Sequence, residues 1–422
     1  MPETYDLILK GGTVVNHDGE GVRDVAIADG RIAALGHLGR ASAGEGVDCA
    51  GLHVLPGVID TQVHFREPGL THKEDLETGS RSAVMGGVTA VFEMPNTNPT
   101  TTSGQALADK ISSARHRMHC DFAFFIGSST GALLVEDDDT LRRVLGVIRR
   151  RAAFHSEDEF RLRERQGLRV AGDPRTHPVW RDELVALTST KRLIKIARET
   201  GSRVHVLHIT TKQEMAFLVN HKDVASVEVT PHHLTLEAPD CYERLGAFAQ
   251  MNPPVRGATH KAALWQALNQ GIVDVLGSDH APHTREEKQK TYPQTPSGMT
   301  GVQTLVPIML DHVNAGRLSM QRFVDLTSAG PQRLFGIACK GRIAAGYDAD
   351  LTVVDLKRRE TISDAWIASR AGWTPYNGQT VTGWPVGTFV RGQRVMWEGS
   401  LVSPAHGEPV RFLETLTPER RH

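Results

Sequence analysis

Short apolar runs broken by glycine turns open the chain. Residues 7–9, 13–16, 25–28, 31–35 and 53–55 read as strands, with Gly11-Gly12, Asp29-Gly30 and Gly51 at the turns. From Val58 onward the pattern changes, and each apolar strand is followed by a stretch with helical spacing, which predicts parallel β/α architecture. Strands of this second kind begin near residues 58, 88, 122, 152, 203, 226 and 272. Helices are expected over 73–85, 104–118, 139–150, 181–200, 261–270, 303–314 and 320–329, while 156–180 reads as polar and irregular. Strand signals return at 351–355, 380–389 and 394–397. The expected fold is α/β, a (β/α)8 TIM barrel over 56–335 with a small β-sandwich built from both termini, 1–55 and 336–422. A closed barrel takes eight strands, and the pattern supplies one fewer.

Composition narrows the partners. The 48 Lys and Arg residues balance 49 Asp and Glu, which leaves no electrostatic footprint for nucleic acid or an anionic membrane. A small molecule is the expected partner. The four cysteines, Cys49, Cys120, Cys241 and Cys339, lie far apart without Cys-x-x-Cys spacing, as in a protein of a reducing compartment. No apolar run reaches membrane-spanning length, so a cytoplasmic location is expected.

The chemistry gathers at strand ends. In Leu55–Pro68, the polar residues Asp60, Gln62, His64 and Arg66 recur at a spacing of two, which places them on one face of a strand. His64, His155, His208 and Asp279 each end a predicted strand, the functional rim of a parallel barrel. Three imidazoles and a carboxylate suit zinc and related divalent ions, and a water activated by such an ion is a nucleophile where no serine or cysteine motif supplies one. Asp279 is the candidate catalytic base and acid. Arg66, Asn96 and His283 are candidates to grip an anionic substrate. His205 lies three residues before His208 and reads as structural; His232 and His233 are ambiguous between site and loop cap. The loop 127–131 has a phosphate-cradle composition but lacks the Gly-Lys-Ser/Thr ending.

Taken together, Asp60 to Gly69, Met-Pro-Asn-Thr-Asn-Pro at 94–99, His-Ser-Glu-Asp at 155–158, Thr-Pro-His-His-Leu at 230–234, the run 251–256 and Gly-Ser-Asp-His-Ala-Pro-His-Thr at 277–284 resemble the cyclic amidohydrolases, and within them the dihydroorotases. The resemblance implies a barrel of the metal-dependent hydrolase type, one or two zinc ions, and reversible hydrolysis of dihydroorotate to N-carbamoyl-aspartate in pyrimidine biosynthesis. It also implies metal ligands at His64, His155, His208 and Asp279, substrate contacts at Arg66, Asn96 and His283, and a homo-oligomer, with aspartate transcarbamoylase as a possible partner.

Two departures stand out. Gln62 occupies the first position of the family's His-x-His, and an amide oxygen is a weak zinc ligand. The bridging lysine, carboxylated in many relatives, is absent: no lysine lies between Lys110 and Lys191. The missing lysine and the missing eighth strand point to loss of a β/α unit near residues 125–128. The alternatives to a zinc-dependent dihydroorotase are a non-catalytic homologue that scaffolds aspartate transcarbamoylase, or a related hydantoinase or allantoinase.

Overall fold

A computed structural model describes residues 4–125 and 137–416. Five strands open the chain: β1 (Thr4–Asn16), β2 (Gly19–Ala28), β3 (Arg31–Gly36), β4 (Ser42–Asp48) and β5 (His53–Pro56). Seven more follow in the central region: β6 (Val58–Val63), β7 (Val88–Glu93), β8 (Asp121–Phe124), β9 (Ala152–Phe154), β10 (Val204–Val206), β11 (Ala225–Val229) and β12 (Val275–Leu276). The last are β13 (Leu351–Thr361), β14 (Thr380–Val390), β15 (Gln393–Trp397) and β16 (Ser400–Leu401).

The first five strands and the last four form a single hydrogen-bonded sheet, joined where β5 pairs antiparallel with β13. β1 serves two neighbours on one edge, β4 along its first half and β5 near its end, so the sheet bends into two layers. Leu9, Val25, Ile27, Val54, Leu351, Val353 and Phe389 fill the space between them. β4, Ser-Ala-Gly-Glu-Gly-Val-Asp, was not among the expected strands. It is mostly exposed, carries two glycines and is held by its backbone pairing with β1, so it leaves no apolar alternation to read.

The central strands are parallel within two arcs, β6-β7-β8 and β9-β10-β11-β12. β6 and β7 are buried along their whole length, as strands covered on both faces must be. The arcs meet on one side, where Val63 bridges to His280 and the His64 amide donates to the His280 carbonyl at 2.8 Å. On the other side, the outer edge of β8 is taken by the C-terminal segment. The Phe122 amide donates to the Glu408 carbonyl (3.1 Å), and Val410 donates to the Phe122 carbonyl (2.8 Å). Val410 and Phe412 join Phe335, Phe125 and Phe92 in one apolar cluster with Ile59 and Ala90. The expected loss near 125–128 falls, from residue 126 on, outside the described residues, as does the loop 127–131.

Helices begin where the sequence caps them. Asp75 and Thr78 form a reciprocal capping box at the start of Leu76–Met85, and Gly201, at φ 67°, ends Glu183–Thr200. The stretch 156–180, expected to be irregular, contains the helix Glu159–Arg165 and the turn His177–Trp180. Leu162 is the one buried residue of Glu159–Arg165, so no apolar period marks it.

A buried ion network fastens the sheet to the barrel. Lys340 bonds to Asp121 at the start of β8 (2.7 Å) and to Asp350, and lies 3.4 Å from Asp348. Arg391 adds a pair with Asp121, and Arg411 one with Asp348 at 3.0 Å.

Candidate active site

The residues at the ends of β6, β9 and β10 and in the loop after β12 converge. His64 Nε2 lies 3.1 Å from Asp279 Oδ1, and its Nδ1 faces Asn96 Oδ1 at 2.7 Å. Gln62 donates from its amide nitrogen to the same Asp279 oxygen at 3.1 Å, while its Oε1 is buried with no partner among the described residues. Opposite, His155 Nδ1 and His208 Nε2 stand 3.1 Å apart, their rings edge to face. Burial alone would raise the Asp279 pKa, but the His64 hydrogen bond and the charges of His208, His64 and His155 outweigh it and hold the carboxyl below its usual range. Burial, aided by the His155 charge, pushes His208 down to about 3, and its Nδ1 has no partner among the described residues.

Among the described residues, no group of three or more His, Cys, Asp or Glu side chains is arranged to hold a metal ion. The four expected ligands come instead as two pairs, His64 with Asp279 and His155 with His208. The atoms nonetheless suit an ion. Two nitrogen ligands of a tetrahedral zinc, each about 2.0–2.1 Å from it, stand roughly 3.3 Å apart, close to the separation of the His155 and His208 nitrogens. The Gln62 oxygen, without a partner among the described residues, is a buried polar atom of the kind a ligand satisfies.

Arg66 is buried, and its Nε donates to the Pro282 carbonyl at 3.1 Å. Burial lowers its pKa to about 10 against the opposing charges of Asp279, Glu93, Glu287 and Glu74, so it stays cationic. The adjacent Glu67 is engaged elsewhere, by Arg117 at 2.7 Å. Among the described residues no carboxylate lies within ion-pair distance of Arg66. His283 approaches Arg66 Nη2 at 3.4 Å, and its Nε2 lies 3.0 Å from the Ser297 carbonyl. Burial and the Arg66, Lys73 and Lys288 charges keep His283 neutral, far below its ordinary value.

The backbone carries a further mark of the site. Arg66 (φ 65°), His208 (φ 37°) and Asp279 (φ 49°) all sit in the left-handed region, which costs a non-glycine residue about 1–3 kcal/mol and gathers where side chains must be aimed.

His205 bonds Ser226 Oγ at 2.8 Å and lies 3.3 Å from Glu228, away from the His155–His208 pair, as its position on the strand predicts. His232 and His233 are buried in the short helix Pro231–Thr235, bonded to the Tyr376 hydroxyl (2.9 Å) and to the Pro253 carbonyl (3.0 Å). Sequence reasoning missed Glu157, whose buried carboxylate lies 3.0 Å from His155 Nε2 and is paired with Arg181. The signal was its place two residues after a candidate ligand. It also missed the buried Lys110–Glu93 pair at the end of β7.

Residues 53–395 match the model of the amidohydrolase family. A dihydroorotase of Methanosarcina mazei is 33% identical over 451 aligned positions, covering 97% of this chain and 98% of that protein. A dihydroorotase of Halobacterium salinarum is 35% identical, covering 92% of this chain and 99% of its own. Among solved structures, an L-hydantoinase (dihydropyrimidinase) from Arthrobacter aurescens superposes with a TM-score of 0.90 at 28% identity, over 96% of this chain and 99% of that one.

Proposed function

Because this chain belongs to the amidohydrolase family, as a metal-dependent cyclic amidohydrolase, we propose that its reaction is the reversible hydrolysis of dihydroorotate to N-carbamoyl-aspartate, with zinc, in pyrimidine biosynthesis. The observation that carries the choice of substrate is Arg66, a buried cation beside His283 with no carboxylate in reach among the described residues. Removing a guanidinium from water without a counter-charge is costly, and a ligand carboxylate offsets that cost with paired, charge-assisted hydrogen bonds. Dihydroorotate brings one such carboxylate on its ring.

The residues that would hold zinc are His64, His155, His208 and Asp279, with Gln62 a weak neighbour. Bound there, the ion supplies Lewis acidity and brings the pKa of a water toward neutrality. Asp279, ionised and bonded to His64 and Gln62, takes the proton of the attacking water and delivers it to the ring nitrogen as the amide C–N bond breaks. Arg66, Asn96 and His283 hold the substrate carboxylate, so the ring enters in one orientation. Arg66 and His283 are buried and Asn96 is half-buried, which limits the water that reaches the bound carboxylate.

Dihydrouracil, the same ring without the carboxylate, is the discriminating comparison. Dihydroorotate should be hydrolysed with a much higher kcat/KM, and Arg66→Ala should raise KM for dihydroorotate while leaving dihydrouracil unaffected. A wild-type chain that opens dihydrouracil or a hydantoin as well as dihydroorotate would refute the assignment in favour of a hydantoinase.

A further inference from the structure

An imidazole binds a metal through a lone pair, and which of its two nitrogens offers one depends on what the other nitrogen bonds. For His155 that bond is explicit. Its Nε2 lies 3.0 Å from Glu157 Oε2, a carboxylate whose side chain is 1% exposed. An ionised carboxylate can only accept, so the ring proton belongs on Nε2 and the lone pair on Nδ1. That Nδ1 is the atom facing His208 Nε2 at 3.1 Å. A His208 ring with its proton on Nε2 would donate to that lone pair, whereas one with its proton on Nδ1 leaves both facing lone pairs free for a cation.

The far side of Glu157 is occupied by the Arg181 guanidinium. Arg181 precedes the helix Glu183–Thr200, so a rigid element anchors it. Arg256 extends the chain of contacts, donating to the Arg181 carbonyl at 2.9 Å and to Thr210 Oγ1 at 2.9 Å, two residues beyond His208. One relay therefore touches the segments that carry both histidines.

We propose that Glu157 and Arg181 are positioning residues that fix the tautomer and aim of His155, so that its Nδ1 and His208 Nε2 are presented together to a divalent cation. The inference rests on the reading of His155 and His208 as ligands. An ion pair that merely stabilised the fold would change melting without setting metal affinity.

Co2+ serves as the probe, titrated into the metal-free full chain with a competing chelator, alongside its visible absorption and the melting of the metal-free proteins. Glu157→Gln should weaken Co2+ binding roughly tenfold to a hundredfold and alter the absorption bands, the usual scale for losing the partner of a ligand histidine. Arg181→Gln should shift affinity in the same direction, and Arg181→Lys, which keeps the charge, should restore most of it. Variants that bind Co2+ with wild-type affinity and spectrum would overturn the proposal, as would affinity losses that only track metal-free melting. A wild-type chain that takes up no Co2+ would overturn the ligand reading and this proposal together, whereas binding by wild type and variants alike overturns this one alone.

Discussion

Lys288 is a second cation taken out of water near the site, and it behaves differently from Arg66. Its ammonium donates to the carbonyls of Gln250 (3.2 Å) and Pro296 (3.0 Å), tying the segment before Asn252 to the loop that holds Ser297. Burial pushes it down to about 7, with Glu287 opposing, against about 10.4 in an unfolded chain. The unfolded chain therefore binds more protons than the folded one between those values, and stability should rise with pH from about 7 toward 10. Lys288→Met should flatten that rise, read as urea midpoints at pH 7 and pH 9; an identical slope in wild type and variant would contradict it. At this scale the sequence is informative about residue type and order. The positions of His64, His155, His208 and Asp279 at or just past strand ends were readable; the single strand face expected from Asp60 to Arg66 was not found, because β6 ends at Val63 and Arg66 lies beyond it in left-handed backbone. The left-handed backbone at Arg66, His208 and Asp279 was not readable, because the surrounding fold imposes it. Nor was the charge balance around Arg66, which depends on where Glu67 turns.

Among the elements, the C-terminal segment beside β8 has a part no periodicity announced. It occupies an edge that would otherwise expose unpaired amides and carbonyls, the usual starting point for aggregation. Gly407 lets it approach, since a Cβ there would run into the Cys120 carbonyl. Gly407→Ala should cost roughly 1–3 kcal/mol through overpacking and promote aggregation on heating; unchanged melting and solubility would show that the segment is not needed at that edge. The seven central strands among the described residues were readable because each is a short apolar run closed by polar residues. Residues 408–410, Glu-Pro-Val, were not, because their pairing is made by backbone atoms and places a proline where only one neighbour bonds.

Across the whole molecule, the two ends of the chain meet in one sheet, and Lys340 joins that sheet to the start of β8 through Asp121, Asp348 and Asp350. Replacing one member of a buried ion cluster strands the others without a counter-charge, so Lys340→Met should cost about 3–5 kcal/mol in thermal or urea unfolding. A loss under 1 kcal/mol would show that the network is dispensable. The expected loss of a barrel unit falls, from residue 126 on, outside the described residues. The alignment with the Methanosarcina mazei relative spans 451 positions against a chain of 422, so that relative holds residues with no counterpart here. We propose that this chain, with no lysine between Lys110 and Lys191 and with Gln62 two residues before His64, hydrolyses a cyclic amide through His64, His155, His208 and Asp279. The most direct test is dihydroorotate ring opening by the metal-depleted chain before and after zinc is restored. Turnover should appear with zinc and be absent from an Asp279→Ala variant of unchanged melting temperature; a folded, zinc-loaded wild-type chain that leaves dihydroorotate intact would contradict the assignment.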